Sequence, residues 1–231
     1  MKDVDTDTWK GRIAKHIYNL YQYPKKPKDI FSEHFFKLNI DELLWHSTTM
    51  ILTKAKMVNI KYVGQRYWSE KAIEKYCTNN PEGTRGFKNC KGLIHEHAVP
   101  RKLIKTKILN ILKIDENECI NEIRKILELY SFSVIMTKDE AKKVDEKYKD
   151  SFKISSKDGT KEVEFDIFEC KRKIIDEVKK TRYNELEITS PVVDIDEGKE
   201  IPYDKTFKDV KKIQTQFKLI KDKSTPIKTK D

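Results

Sequence analysis

The chain contains 231 residues, 37% of them hydrophobic and 10% aromatic, which is enough to bury the core of one principal domain with an appendage. Its longest uncharged apolar runs are only a few residues and its first residues, MKDVDTD, are acidic. We therefore expect a cytoplasmic protein with neither a membrane span nor a targeting peptide. The formal charge of +10, from 48 Lys and Arg against 38 Asp and Glu, favours polyanionic ligands such as nucleic acid.

The first 80 residues have helical periodicity. Apolar residues at helical spacing follow Asp7 or Thr8, either of which can cap the N-terminus of a helix. A second helical pattern extends over residues 31–52, and a short third helix is expected after Ser69. We therefore predict that residues 1–80 form a mostly helical N-terminal layer.

An α+β core is predicted for residues 81–190. A turn-rich segment leads into LIHEHAVP (93–100), which has the character of a short strand ended by its proline. Two amphipathic helices follow, and YSFSVIMT (130–137) is typical of a buried strand. Thr137 and Glu140 have the spacing of a capping box, so a further helix is expected to begin there.

The C-terminal third combines a hairpin with helices. An Asp-Gly pair between two alternating runs, in SFKISSKDGTKEVEFDIFECKRK (151–173), predicts a β-hairpin. A helix through 174–183 is expected next, then a loop over 190–203 and a last helix. We assign 191–220 to this C-terminal loop and helix and 221–231 to a disordered tail.

The stretch GLIHEHAVP contains two histidines that flank an acid. On a strand, His95 and His97 would point the same way while Glu96 points to the other face. If the strand instead ends in a loop at Glu96, the side chains of Glu96 and His97 can approach each other. The simplest interpretation is a strand end with structural histidines; another is a zinc site shared with Cys77 or Cys90, although the four cysteines lack the close pairing of zinc knuckles.

EHAVP (96–100) resembles the first motif of the HNH (ββα-metal) nucleases. The resemblance implies a small mixed β core of the ββα-metal type, with Glu96 as a ligand of a divalent metal, Mg²⁺ being favoured. It also implies that His97 is the general base that activates water, supported by His95. That family commonly carries a second metal-binding histidine on the following helix; because no histidine follows His97, a helix carboxylate such as Glu140 would have to replace it. Three cations would face the nucleic-acid backbone: Arg101, Lys102 and Lys105.

A second and weaker pattern lies in the hairpin. Asp158 followed by Glu169 and Lys171 resembles the PD-(D/E)xK nuclease signature, in which two carboxylates hold Mg²⁺ and the lysine orients water. Alternation from Val163 onward would place Glu169 and Lys171 on one face of a strand. The alternative interpretation is an amphipathic hairpin whose last residues emerge into solvent.

Together these patterns predict an α+β, mostly helical protein that binds nucleic acid, with DNA favoured over RNA. The favoured function is a metal-dependent, HNH-like endonuclease that hydrolyses phosphodiester bonds in a restriction or defence system. A PD-(D/E)xK-type nuclease is the alternative within that class. The alternative of another class is a non-catalytic nucleic-acid-binding or assembly protein.

Overall fold

The computed structural model describes most of the chain between residues 8 and 195. The described residues are 8–22, 30–52, 57–59, 61–62, 65–81, 89–112, 115–148, 152–155, 162–164, 166–170, 173–184 and 191–195. They form an α+β protein, as predicted, with seven α-helices and a mixed sheet of four strands. Among these residues, no helix combines the length and the apolar character required to cross a bilayer. The predicted last helix and the tail at 221–231 lie outside the described residues.

The elements follow one another in a mixed order. In the first half of the chain they are α1 (Trp9–Gln22), α2 (Ile30–Thr49), β1 (Met50–Leu52), β2 (Met57–Asn59), β3 (Tyr67–Ser69), α3 (Glu70–Asn79), β4 (Leu93–His97) and α4 (Arg101–Ile111). In the second half they are α5 (Glu116–Tyr130), β5 (Ser133–Thr137), α6 (Lys138–Tyr148), β6 (Lys153–Ser155), β7 (Glu162–Glu164), α7 (Ile174–Val178) and β8 (Val192–Asp194). A 3₁₀ turn (Ile167–Glu169) precedes α7, and a π-helix (Lys179–Asn184) continues it.

The described residues fall into two compact units, each built from two segments of the chain. The first, called the helical unit, comprises 8–59 and 101–132; the second, called the sheet unit, comprises 61–100 and 133–195. Residues 61–80, which the sequence assigns to the N-terminal layer, belong to the sheet unit. Along the chain, the sheet unit is thus interrupted by residues 101–132, which belong to the helical unit.

In the helical unit, α1 and α4 each pack against both α2 and α5. The α1 helix begins as predicted, since the Thr8 hydroxyl accepts a hydrogen bond from the Gly11 amide at 3.0 Å. Nζ of Lys10 in α1 donates hydrogen bonds to the carbonyl oxygens of Leu127 and Ser131, at 2.8 and 2.7 Å. Both carbonyls lie at the C-terminal end of α5. A cation at a helix C-terminus satisfies the last carbonyls and complements the helix dipole.

The predicted helix over 31–52 ends earlier than expected. Residues 50–52 form β1, which pairs antiparallel with β2. The hydroxyls of Thr48 and Thr49 both donate to the carbonyl oxygen of Trp45, at 3.1 and 2.9 Å. Because these β-branched side chains bond the backbone locally and favour extended conformations, the helix gives way to a strand at this point.

The sheet unit is built on a four-stranded sheet in the order β4-β5-β3-β8. Strands β3 and β5 are parallel, while β4 and β8 pair antiparallel with their neighbours. Helix α3 packs against β3, β4 and β5, and α6 packs against β4 and β5. The core cluster around α3 consists of Trp68, Ala72, Ile73, Tyr76, Leu93, Ile135, Val193 and Ile195.

The segment predicted as a loop over 190–203 contains strand β8. Its register pairs Val193 with Trp68, and both valines of β8 are buried. The carboxylate of Asp194 accepts two hydrogen bonds from the Arg66 guanidinium, at 2.8 and 2.7 Å. Three residues are too few for period-2 alternation to be recognised, so the strand is defined by its partners rather than by its own sequence.

The predicted hairpin is confirmed, but its second strand is shorter than expected. Ile154 lies opposite Val163 in the antiparallel pair of β6 and β7, and the predicted turn lies outside the described residues. The strand alternation predicted for 167–169 was wrong, because these residues form a 3₁₀ turn. Asp166 caps that turn by accepting from the Phe168 amide at 2.9 Å, a local hydrogen bond that competes with strand formation.

Candidate functional site at strand β4

Strand β4 is an edge strand that places its two histidines on one face. His95 lies opposite Ile135 and His97 opposite Ser133 in the antiparallel pairing with β5. The two imidazole rings are 5.2 Å apart between centroids and nearly perpendicular. His95 is buried, with 5% of its surface exposed, whereas His97 is half-buried. The predicted alternation is therefore confirmed, and Glu96 points to the opposite face of the sheet.

Glu96 pairs with a buried arginine that the sequence analysis did not identify. Its Oε1 accepts from Nη2 of Arg182 at 2.7 Å, and Nη1 of the same guanidinium donates to the carbonyl oxygens of His97 and Ala98, each at 3.0 Å. Only 1% of the Arg182 side chain and 13% of the Glu96 side chain are exposed. A single arginine thus binds both the acid of the motif and the backbone that follows it.

Arg182 reaches this position from the π-helix that continues α7. In the sequence, Val178 and Arg182 are four residues apart, so the arginine occupies the apolar face of the predicted helix. A cation on an apolar face is the signal that could have identified it, because a buried charge requires a partner. The neighbouring Tyr183 is also buried, which raises the pKa of its phenol despite the opposing effect of the Arg182 charge.

Strand β4 keeps the side chains of Glu96 and His97 apart. The β4–β5 pairing continues through His97, so the strand does not dissolve at Glu96 and the two side chains lie on opposite faces. The Glu96 carboxylate already binds a guanidinium, so a metal ion would have to displace or share that contact. The convergence that a strand ending at Glu96 would allow is therefore not formed in this structure.

The second predicted metal ligand, Glu140, connects the starts of two helices. It is buried, and its Oε2 accepts from the Thr137 amide at 2.9 Å and from the hydroxyls of Thr137 and Ser69 at 2.8 Å each. Ser69 in turn caps α3 by accepting from the Ala72 amide at 3.2 Å. The capping box is confirmed, and one carboxylate serves the N-termini of both α3 and α6. In the parts of the chain that the structure describes, no three His, Cys, Asp or Glu side chains are grouped to hold a metal ion.

The hairpin residues give no complete site within the described residues. Asp158 and Lys171 lie outside them, and Glu169 is exposed on the 3₁₀ turn. Glu169 is thus not on the strand that the alternation predicted for it. The PD-(D/E)xK pattern therefore remains a prediction from sequence.

Two of the three predicted phosphate-binding cations are engaged within the helical unit. Arg101 donates to the backbone carbonyl of Asp41 at 3.2 Å and lies over the Trp45 ring, and Lys105 forms an ion pair with the Asp41 carboxylate at 2.5 Å. Lys102 is exposed on α4. The start of α4 thus uses much of its positive charge to pack against α2.

A basic, solvent-facing stripe on α1 was not singled out from the sequence. Helix α1 contains no acidic residue, and its exposed positions recur at helical spacing. They are Arg12, Lys15, His16, Asn19 and Gln22. The buried positions of the helix are Gly11, Ile13, Ala14, Ile17 and Tyr18. The signal available in the sequence is the absence of acids from a 14-residue helix in a chain with 38 acidic residues.

Comparison with known proteins adds no assignment. No protein-family model, curated protein or solved structure matches the chain.

Proposed function

We propose that the protein binds nucleic acid non-catalytically through the exposed stripe of α1. The observation that carries the proposal is the composition of that stripe: two permanent cations, a histidine and two side-chain amides, with no acid. Lys and Arg bind phosphates, and Asn, Gln and His supply the hydrogen bonds that read base edges. An α-helix fits the major groove of B-DNA, and 14 residues span roughly 21 Å.

Acidic residues lie near both ends of α1, so the cations of the stripe that can bind phosphate are those in its middle. Asp115 and Glu116, at the start of α5, act on the Tyr18 phenol and contribute to its raised pKa, although burial is the larger cause. Glu128 acts on Lys10 at the start of the helix, so acids lie near both ends of α1. Arg12 and Lys15 are the exposed cations between them. We accordingly assign phosphate contacts to these two side chains.

Duplex DNA is favoured over duplex RNA as the ligand. The major groove of A-form RNA is deep and narrow and does not admit a helix, so a helical stripe matches DNA better. A nucleic-acid ligand also agrees with the formal charge of +10 and with the expected cytoplasmic location.

Fluorescence anisotropy with a labelled DNA duplex at several salt concentrations tests the proposal. Each lost phosphate contact reduces the slope of log affinity against log salt by about 0.9, so Arg12→Gln with Lys15→Gln should reduce it by nearly two. Lys138→Gln with Lys143→Gln is the matched control, since these are exposed lysines on α6 and the change in net charge is the same.

The two double variants separate a specific surface from a general charge effect. The α1 variant should lose affinity at least tenfold at low salt, while the α6 variant should remain close to the parent. Equal losses in both would mean that only net charge matters. Absence of parent binding even at low salt would remove the proposal altogether.

The second candidate function is a metal-dependent, HNH-like endonuclease, favoured by the pairing of His95 and His97 on one face of an edge strand. In this proposal His97 accepts the proton from water and Glu96 binds a divalent cation. Because the two side chains lie on opposite faces of β4, this requires both release of the Glu96 contact with Arg182 and opening of the strand at Glu96. The half-buried position of His97 is compatible with access of a phosphodiester from the strand end.

Nicking of supercoiled plasmid in Mg²⁺ or Mn²⁺ tests the endonuclease. His97→Ala should reduce cleavage by about 10² to 10⁴, while His46→Ala, a histidine of α2, should have no effect. Glu169→Gln tests the hairpin alternative in the same assay. A parent protein that binds the duplex but never cleaves it would exclude both nuclease mechanisms and leave the binding proposal intact.

A further inference from the structure

Cys77 and Cys90 pack against the same core cluster from two different segments. Cys77 lies in the last turn of α3, and Cys90 lies three residues before β4. Both are half-buried and contact the cluster that contains Trp68 and Tyr76. The two thiols are therefore close to the same hydrophobic side chains while each keeps some exposure to solvent.

Side-chain amides hold these two segments together. Asn80 is buried, and its Nδ2 donates to the carbonyl oxygen of Asn89 at 2.9 Å while its Oδ1 accepts from the Asn89 amide at 3.3 Å. Asn79 donates to the carbonyl oxygen of Lys91 at 3.0 Å. Three hydrogen bonds thus connect the residues that follow Cys77 with the two neighbours of Cys90.

The backbone after Cys90 is also fixed. The Leu93 amide donates to the Cys90 carbonyl at 3.0 Å, and Gly92 has a φ of +79°, a conformation that glycine adopts without strain. The Gly92 carbonyl accepts from the Lys138 amide at 3.0 Å. The turn that contains Cys90 is consequently anchored on both sides, so its thiol cannot easily move away from the cluster.

We infer that Cys77 and Cys90 form a redox-active dithiol that oxidised glutathione converts to an intramolecular disulfide. In the first step the thiolate of one cysteine displaces one glutathione thiolate and forms a mixed disulfide. The thiolate of the second cysteine then attacks the protein sulfur of this mixed disulfide and displaces the other glutathione as its thiolate. Two protein thiols and one oxidised glutathione thus give one protein disulfide and two reduced glutathiones, which balances atoms and electrons.

The surroundings of the thiols determine how this reaction depends on pH. Burial raises the pKa of Cys90, so little of it is thiolate at neutral pH and oxidation should accelerate as the pH rises. Burial also raises the pKa of the Tyr76 phenol, and both thiols add to that rise, as expected if each lies near its hydroxyl. The other two cysteines lie elsewhere in the fold. Cys119 is fully buried in the helical unit, and Cys170 lies on a separate segment after β7.

Oxidation of the full chain with oxidised glutathione tests the inference. After alkylation of the remaining thiols, peptide mapping by mass spectrometry should find one linked pair, 77 to 90, lighter by two hydrogen atoms and cleaved by dithiothreitol. The melting temperature should rise by several degrees on oxidation, because the bond closes a loop in the unfolded chain.

Single variants provide the controls. Cys77→Ser should stop at the mixed disulfide on Cys90, whereas Cys170→Ser should form the 77–90 bond as the parent does. Oxidised parent protein without a 77–90 peptide at any pH between 7 and 9 would overturn the inference. A linkage that involves Cys170 as often as Cys90 would overturn it as well. Neither outcome bears on DNA binding by α1, which the anisotropy titrations measure separately.

Discussion

Replacement of Arg182 by methionine tests whether the arginine organises the end of β4. Methionine has a similar length but removes the charge and all the guanidinium donors. The Glu96 carboxylate, with 13% of its side chain exposed, would lose its cationic partner, and two backbone carbonyls would each lose a hydrogen bond of 3.0 Å. Breaking one side of a buried ion pair costs about 3–5 kcal/mol.

Thermal and urea denaturation, followed by circular dichroism, measure this loss. For a chain of this size 1 kcal/mol corresponds to about 2–4 °C, so Arg182→Met should lower the melting temperature by roughly 6–20 °C. Lys142→Met removes a charge from an exposed pair on α6, with Lys142 76% exposed, and should cost no more than about 0.5 kcal/mol.

A double-mutant cycle separates the pair from general destabilisation. Combining Arg182→Met with Glu96→Gln should cost less than the sum of the two single changes, by about 1–3 kcal/mol, because the second change removes the charge that the first leaves unpaired. Additive effects would refute the direct pairing. A melting temperature of Arg182→Met equal to that of the parent would refute the whole argument.

Three further predictions concern buried polar groups. Glu140→Gln should cost about 1–3 kcal/mol in urea denaturation, equally with and without Mg²⁺, because its Oε2 serves helix caps; rescue by Mg²⁺ would contradict this. Burial lowers the pKa of Lys10 to about 8, while Glu128 opposes the shift. In the unfolded chain the Lys10 ammonium keeps its proton up to about pH 10.5, so the free energy of unfolding of the parent should rise between pH 8 and 10.5 relative to that of Lys10→Met. Parallel curves of unfolding free energy against pH for the two proteins would disprove this prediction. The buried Tyr183 hydroxyl has no hydrogen-bond partner among the described residues, so Tyr183→Phe should be neutral or stabilising by up to about 1 kcal/mol, and a clear loss in melting temperature would contradict that.

Local patterns in the sequence determined much of the secondary structure. The start of α1 at Thr8, the cap of α3 at Ser69 and the capping box of α6 all depend on residues within four positions of one another. The same-face placement of His95 and His97 follows from the two-residue period of a strand. These features could be predicted from the sequence because each depends only on contacts within one short segment.

Only the tertiary structure decided what the candidate site contains. Glu96 resembles a metal ligand in its pentapeptide, yet its partner Arg182 lies 86 residues later in the chain and reaches it through the packing of the π-helix. Glu140 likewise receives a hydrogen bond from Ser69, 71 residues earlier, because the parallel strands β3 and β5 end side by side. A buried charge takes whichever partner the fold brings to it, and that choice depends on strand order and helix packing rather than on neighbours in the sequence.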